Sequence, residues 1–148
     1  MNLKKALHRD AVTLHMKSTS KDEVVEELVG LLTDTGLIDD PVAACQAVKE
    51  REQKMSTGMQ FGIAIPHGKT ETVKSLVAAV GIHPQGLDFD AIDHQPCHIF
   101  ILTLSPIDRT GPHIQFLAEI SRLLNEPDIR NRILKAASSE EIIALLTS

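Results

Sequence analysis

Between Thr19 and Gly36 the chain reads "TSKDEVVEELVGLLTDTG", with Val24, Leu28, Leu31 and Leu32 on one helical face and charged residues between them. Ser20 and Glu23 stand at capping-box spacing ahead of that stripe and Gly36 closes it, so the pattern predicts a helix. In "DDPVAACQAVKEREQK", Asp40 is placed as an N-cap and Pro41 at the first helical position. A second helix is therefore predicted to run to near Lys54, with Arg51 in its last turn. After "STG" the period changes. Three runs, "GIAI", "SLVAAVGI" and "CHIFILTL", are almost continuously apolar, which predicts strands covered on both faces. From Pro112 the helical period returns through Ile114, Leu117, Ile120 and Leu124. Pro127 starts a further turn, and Ser138 with Glu141 repeats the capping box before "EEIIALL". Strands between helices, without repeats or a long linker, give an α/β fold class with helices against a central sheet. Strand order and direction are not set by this pattern.

A chain of 148 residues has the length of one domain, taken as 1–148. The net charge of -5, with Lys and Arg dispersed and neither Trp nor Tyr present to stack bases, argues against a nucleic-acid partner. No apolar stretch approaches the length of a membrane span, and "MNLKKALHRD" does not read as a secretory signal, so no membrane insertion and a cytoplasmic location are expected. Cys45 and Cys97 are far apart and outside any C-x-x-C spacing. They are expected to pack as small hydrophobes, not as a disulfide or a zinc site.

The candidate chemistry centres on "FGIAIPHGK". Pro66 favours an extended conformation at Ile65 and lacks an amide hydrogen, so it suits a strand end and places His67 at the strand's mouth. Gly68, with no side chain, leaves room for a large anion or a partner protein. A largely neutral imidazole there can be a nucleophile, a base, a metal ligand or a half-buried packing residue. His113, in "TGPHIQFLAEI", sits in the opening turn of a helix, where free amides and the dipole favour phosphate, although an ordinary first-turn polar residue reads the same way. Arg51 carries a planar fork suited to phosphate oxygens, or is a solvated charge paired with Glu50. His8, His15, His83 and His94 read as exposed, the last two in turns beside prolines, and His98 reads as a packing residue inside a strand. A helical zinc-hydrolase motif, a G-x-S-x-G elbow and a P-loop are all absent.

The stretch "REQKMSTGMQFGIAIPHGK" resembles the active-site signature of the enzyme IIA domains of the fructose and mannitol class in the bacterial phosphoenolpyruvate-dependent phosphotransferase system. "LDFDAIDHQPCHIFILTLSPIDRTGPHIQFLAEISRLL" is similar to the later half of that family, and "FDAIDHQP" to the branch with the nitrogen-related regulatory members. The resemblance implies a mixed central sheet flanked by helices on both sides and a phosphotransferase component with a phosphohistidine intermediate. It assigns the phosphoryl group to His67, with His113 and Arg51 lining the site, and no metal or organic cofactor. The implied donor is the phosphohistidine of the carrier HPr or a paralogue; the acceptor is a IIB-domain cysteine in transport, or a regulatory target protein is bound instead. Neither Cys45 nor Cys97 opens a polar, glycine-rich loop, so no IIB domain is expected within the chain. Met59, Gln60 and Phe61 stand where many relatives have a glycine-rich turn. Met59 and Phe61 are expected partly exposed beside His67 as docking surface, with Ile63 and Ile65 pointing into the core.

Overall fold

The computed structural model describes residues 3–147. A single turn, α1 (Leu3–Ala6), runs into β1 (Leu7–Thr13), followed by α2 (Lys21–Asp34) and α3 (Pro41–Lys54). Two short strands, β2 (Ile63–Ala64) and β3 (His67–Lys69), precede the long β4 (Val77–Leu87) and β5 (Cys97–Ser105). Three helices end the chain: α4 (Thr110–Leu124), α5 (Pro127–Lys135) and α6 (Ser139–Thr147).

The local signals are realised as bonds. The Glu23 amide donates to Ser20 Oγ at 3.2 Å, and the Glu23 carboxylate reaches back to the Thr19 amide at 2.7 Å. The Ala43 amide donates to Asp40 Oδ1 at 3.1 Å, and the Glu141 amide to Ser138 Oγ at 3.2 Å. The bonds from the Glu23, Ala43 and Glu141 amides each satisfy an orphan donor of a first helical turn, and the Glu23 carboxylate ties the residue before the N-cap to the same turn.

The sheet runs β1-β4-β5-β2, with β3 also paired to β5. β1 is parallel to β4, β4 antiparallel to β5, and β2 and β3 both parallel to β5, so the sheet is mixed. Ile63 lies opposite Ile99 and His67 opposite Thr103, which makes β2 and β3 two segments of one edge interrupted at Pro66. Helices cover both faces. Phe100, Leu102 and Leu104 of β5 pack in one core with Val25, Leu28 and Val48 of α2 and α3. Ile99 and Ile101 pack in the other with Phe116, Ile120, Ile133 and Ile142 of α4, α5 and α6. This alternation across a sheet covered twice is why the strands read as unbroken apolar runs. Cys97 is fully buried and its thiol is pushed up to about 12 by that burial, while Cys45 is half-buried.

Three details differ from the sequence reading. β1 is a strand that the pattern does not announce. β4 continues five residues past Ile82, so His83 is not in an exposed turn: it is buried at 6 % exposure, with Nε2 donating to the Ser18 carbonyl at 2.7 Å. The chain also re-enters the sheet directly after Pro66, because the proline carbonyl still accepts from the Thr103 amide at 3.0 Å. Among the described residues no helix is long and apolar enough to cross a membrane.

Candidate functional site

The end of α3, the start of β3 and the start of α4 meet beside the sheet edge. Gly68 is what lets the first two meet. A Cβ on it would stand 3.0 Å from both Ala47 C and Val48 N, so the neighbour that needs the missing side chain is the backbone of α3, not an incoming anion or partner. α3 then ends with Arg51 and Glu52 next to His67. Arg51 is half-buried and its Nη1 donates to the Met55 carbonyl at 2.9 Å. The Glu50 carboxylate accepts from Gln46 instead, at 2.9 Å.

His67 and His113 face each other with ring centroids 5.2 Å apart and planes tilted by 60°. His67 Nδ1 lies 2.9 Å from the Ile65 carbonyl oxygen. A carbonyl can only accept, so Nδ1 carries the proton and Nε2 keeps its lone pair. Burial holds the His67 pKa below the ordinary histidine value, and the Arg51 charge pushes the same way against the Ile65 carbonyl and Glu52. His113 is 5 % exposed, and burial, then His67, Lys69 and Arg51, push it down to about 4. Both rings are therefore neutral near pH 7: a nucleophilic nitrogen facing a potential hydrogen-bond donor, with fixed positive charge nearby.

Lys69 adds to that charge, its Nζ bonding Thr110 Oγ1 at 2.8 Å across the site. α4 begins at Thr110, two residues before Pro112, and its N-cap residue, Arg109, makes no side-chain cap. The Thr110 and Gly111 amides have no intrahelical acceptor, and Pro112 has no amide hydrogen to satisfy.

The "STG" that follows α3 has a structural task. Buried Glu52 accepts from both the amide and the hydroxyl of Thr57 and pairs with Lys21 at 3.1 Å. Ser56 Oγ donates to the Phe89 carbonyl at 2.7 Å, and a Cβ on Gly58 would meet that same oxygen at 2.7 Å. The segment is thereby clamped to the turn before β5, and Arg51 is held in place from behind.

The structure thus brings together His67, His113 and Arg51. It does not place Phe61 with them. Phe61 is exposed, as expected, but it precedes Ile63, which lies four residues from His67 along an extended edge, roughly 13 Å away. There it has a positive φ of 66° and its ring lies 4.3 Å beneath the Arg130 guanidinium. Half-buried Met59 lines a cavity of about 180 Å³ at the same far end, against Ser121 and Leu124 of α4. Two other exposed apolar side chains are tied to the site residues: Met55, whose carbonyl accepts from Arg51, and Ile114, which follows His113 in α4. Glu52, Lys69 and Ser105 were not singled out by sequence. Glu52 and Lys69 lie within the signature quoted above, whereas Ser105 carries no local signal, because its role depends on α4 crossing the end of β5.

Residues 5–148 match the profile of a family described as "Phosphoenolpyruvate-dependent sugar phosphotransferase system, EIIA 2". The fructose-specific EIIA component of Haloferax volcanii is 35 % identical over 133 residues, covering 90 % of this chain and 86 % of that protein. The nitrogen regulatory protein of Escherichia coli K12 is 33 % identical over 150 residues, covering 99 % and 90 %. The crystal structure of nitrogen regulatory protein IIA-Ntr from Neisseria meningitidis superposes with a TM-score of 0.92 at 29 % identity, covering 98 % of this chain and 99 % of that one.

Proposed function

The chain belongs to the EIIA 2 family of the phosphoenolpyruvate-dependent sugar phosphotransferase system, and from that premise we propose that His67 is its phosphoryl acceptor, with His113 and Arg51 as the groups that receive the charge. The observation that carries this reading is the Nδ1–H bond to Ile65, which leaves the lone pair on His67 Nε2, in a ring whose centroid lies 5.2 Å from that of His113. In the forward step Nε2 attacks the phosphorus of a phosphohistidine on an HPr-like carrier. The new N–P bond forms as the donor's N–P bond breaks, and the bonding pair returns to the donor imidazole, so no proton needs to move. The His67 proton stays on Nδ1 against the Ile65 carbonyl throughout. His113 donates to a phosphoryl oxygen, and Arg51 and Lys69 offset the added negative charge. Exposed Met55, whose carbonyl accepts from Arg51, and exposed Ile114, next to His113 in α4, are the apolar side chains offered to the donor protein. The group then passes to the thiolate of a IIB cysteine; this chain takes part as one domain spanning 1–148, and the transfers take place in the cytoplasm.

The full-length similarity to nitrogen regulatory proteins favours a second use of the same chemistry, in which the phosphorylated and free forms bind different partner proteins. Phosphorylation adds a nearly doubly charged group to this face, which is enough to change what docks there.

Incubation with phosphoenolpyruvate, enzyme I and HPr should add one acid-labile phosphate per chain, and His67→Ala should take up none. A labelled His67→Ala protein would end this reading. Onward transfer to a IIB cysteine identifies transport; state-dependent binding of a non-transport protein without transfer identifies regulation.

A further inference from the structure

Ser105 is the last residue of β5 and is fully buried, as is nearly all of His113. Its Oγ lies 2.8 Å from His113 Nδ1. The backbone leaves it little freedom, because the Ser105 carbonyl accepts from the Thr70 amide at 2.9 Å and the residue pairs with Lys69 in the sheet.

A hydroxyl and a neutral imidazole nitrogen can share a proton in two ways. In the first, Ser105 accepts from Nδ1–H. Its own proton is then left inside the protein, where among the described residues His113 Nδ1 is the partner of this hydroxyl, and His113 Nε2 carries a lone pair in place of a proton. In the second, the Ser105 hydroxyl donates to Nδ1 and the His113 proton sits on Nε2. Only the second gives the buried O–H an acceptor, and an orphaned buried donor is the more expensive omission.

The structure assigns to Ser105 the role of a positioning residue that holds the His113 ring and keeps its proton on Nε2, so that the two histidines carry opposite tautomers. Ile65 fixes Nδ1–H on His67, and Ser105 fixes Nε2–H on His113. One ring then presents a lone pair to phosphorus and the other a proton to its oxygen. This rests on the proposal that His67 accepts the phosphoryl group, and it adds a residue to that proposal.

Long-range proton–nitrogen spectra of the native protein at pH 7 test it directly: His67 should show a protonated Nδ1 and His113 a protonated Nε2. A protonated Nδ1 on His113 would overturn the inference. Ser105→Ala should stay folded, by its urea midpoint, and transfer phosphoryl from HPr between about twofold and tenfold more slowly, the range of one neutral buried hydrogen bond. In a His113→Gln background, where the side-chain amide donates without a choice of tautomer, Ser105→Ala should have no further effect. An equal loss in both backgrounds, or a native rate in Ser105→Ala, defeats the role of Ser105. Should Ser105→Ala not fold, the native spectra alone decide. Labelling of His67→Ala would instead defeat the acceptor assignment, so the two failures are told apart.

Discussion

Replacing Gly68 with Ala tests how the site is held together, because it adds one methyl between two elements that leave no space for it. The new Cβ would lie 3.0 Å from Ala47 C, 3.0 Å from Val48 N and 3.2 Å from Ala47 O. Carbon contacts are comfortable from about 3.5 Å, so α3 has to retreat by roughly half an ångström, and its backbone cannot swing aside as a flexible side chain would. Ala44 and Val48, both without solvent exposure, are the residues that lose contact. Overpacking of this kind costs about 1 to 3 kcal/mol. For a domain of this size that lowers Tm by roughly 2 to 12 °C. Arg51 lies one turn beyond Val48 and moves with it, so the rate of phosphoryl transfer from HPr should fall even at temperatures where the variant is fully folded. Gly30, in α2, is the matched control: nothing lies within 4 Å of its Cβ position, and Gly30→Ala should raise stability by up to about 1 kcal/mol through helix propensity. Differential scanning calorimetry and a phosphorylation time course measure both. If Gly68→Ala matches the native protein in Tm and in rate, the close approach of α3 to β3 is not what builds the site.

The remaining expectations concern pH and the far end of the sheet edge. Because the folded His113 titrates near 4 and the unfolded one near 6.5, the unfolded chain takes up its proton first; stability is complete above about pH 6.5 and declines toward pH 4 by at most about 3 kcal/mol. His113→Gln should lose most of that slope in urea titrations between pH 7 and 4, and an unchanged slope would remove the burial argument. Phe61→Ser, more than one strand segment from His67, should leave HPr-dependent phosphorylation at the native rate; a large loss would return Phe61 to the docking face.

The capped helices were legible because their signals are local: Ser20, Asp40 and Ser138 each bond an amide three residues on. β1 was not. Its pattern is one buried residue, three exposed and then two buried, and its register against β4 shifts between Leu7 and Val12, so no period of two survives in the sequence. His83 was hidden by Pro84, which reads as a turn. The strand tolerates that proline because its pairing with β5 is irregular between Ile82 and Leu87, where a missing amide donor removes no regular ladder bond.

At the site, residue chemistry was readable and direction was not. The run from Phe61 to His67 looks like one neighbourhood in the sequence, which is why the exposed phenylalanine was assigned to the docking face. Once β2 and β3 are laid parallel to β5, the six intervening steps become length. Phe61 falls before the start of the edge, near Arg130 of α5, and His67 at its other end, against α4 and the last turn of α3. The same step reassigns Gly68. A glycine after a histidine announces close approach but not by what, and the answer depends on where α3 ends, which is fixed by Ala44 and Val48 packing on the far face of β5. The histidine pair is therefore specified by its own residues, and its access and charge by helices whose paths no local pattern records.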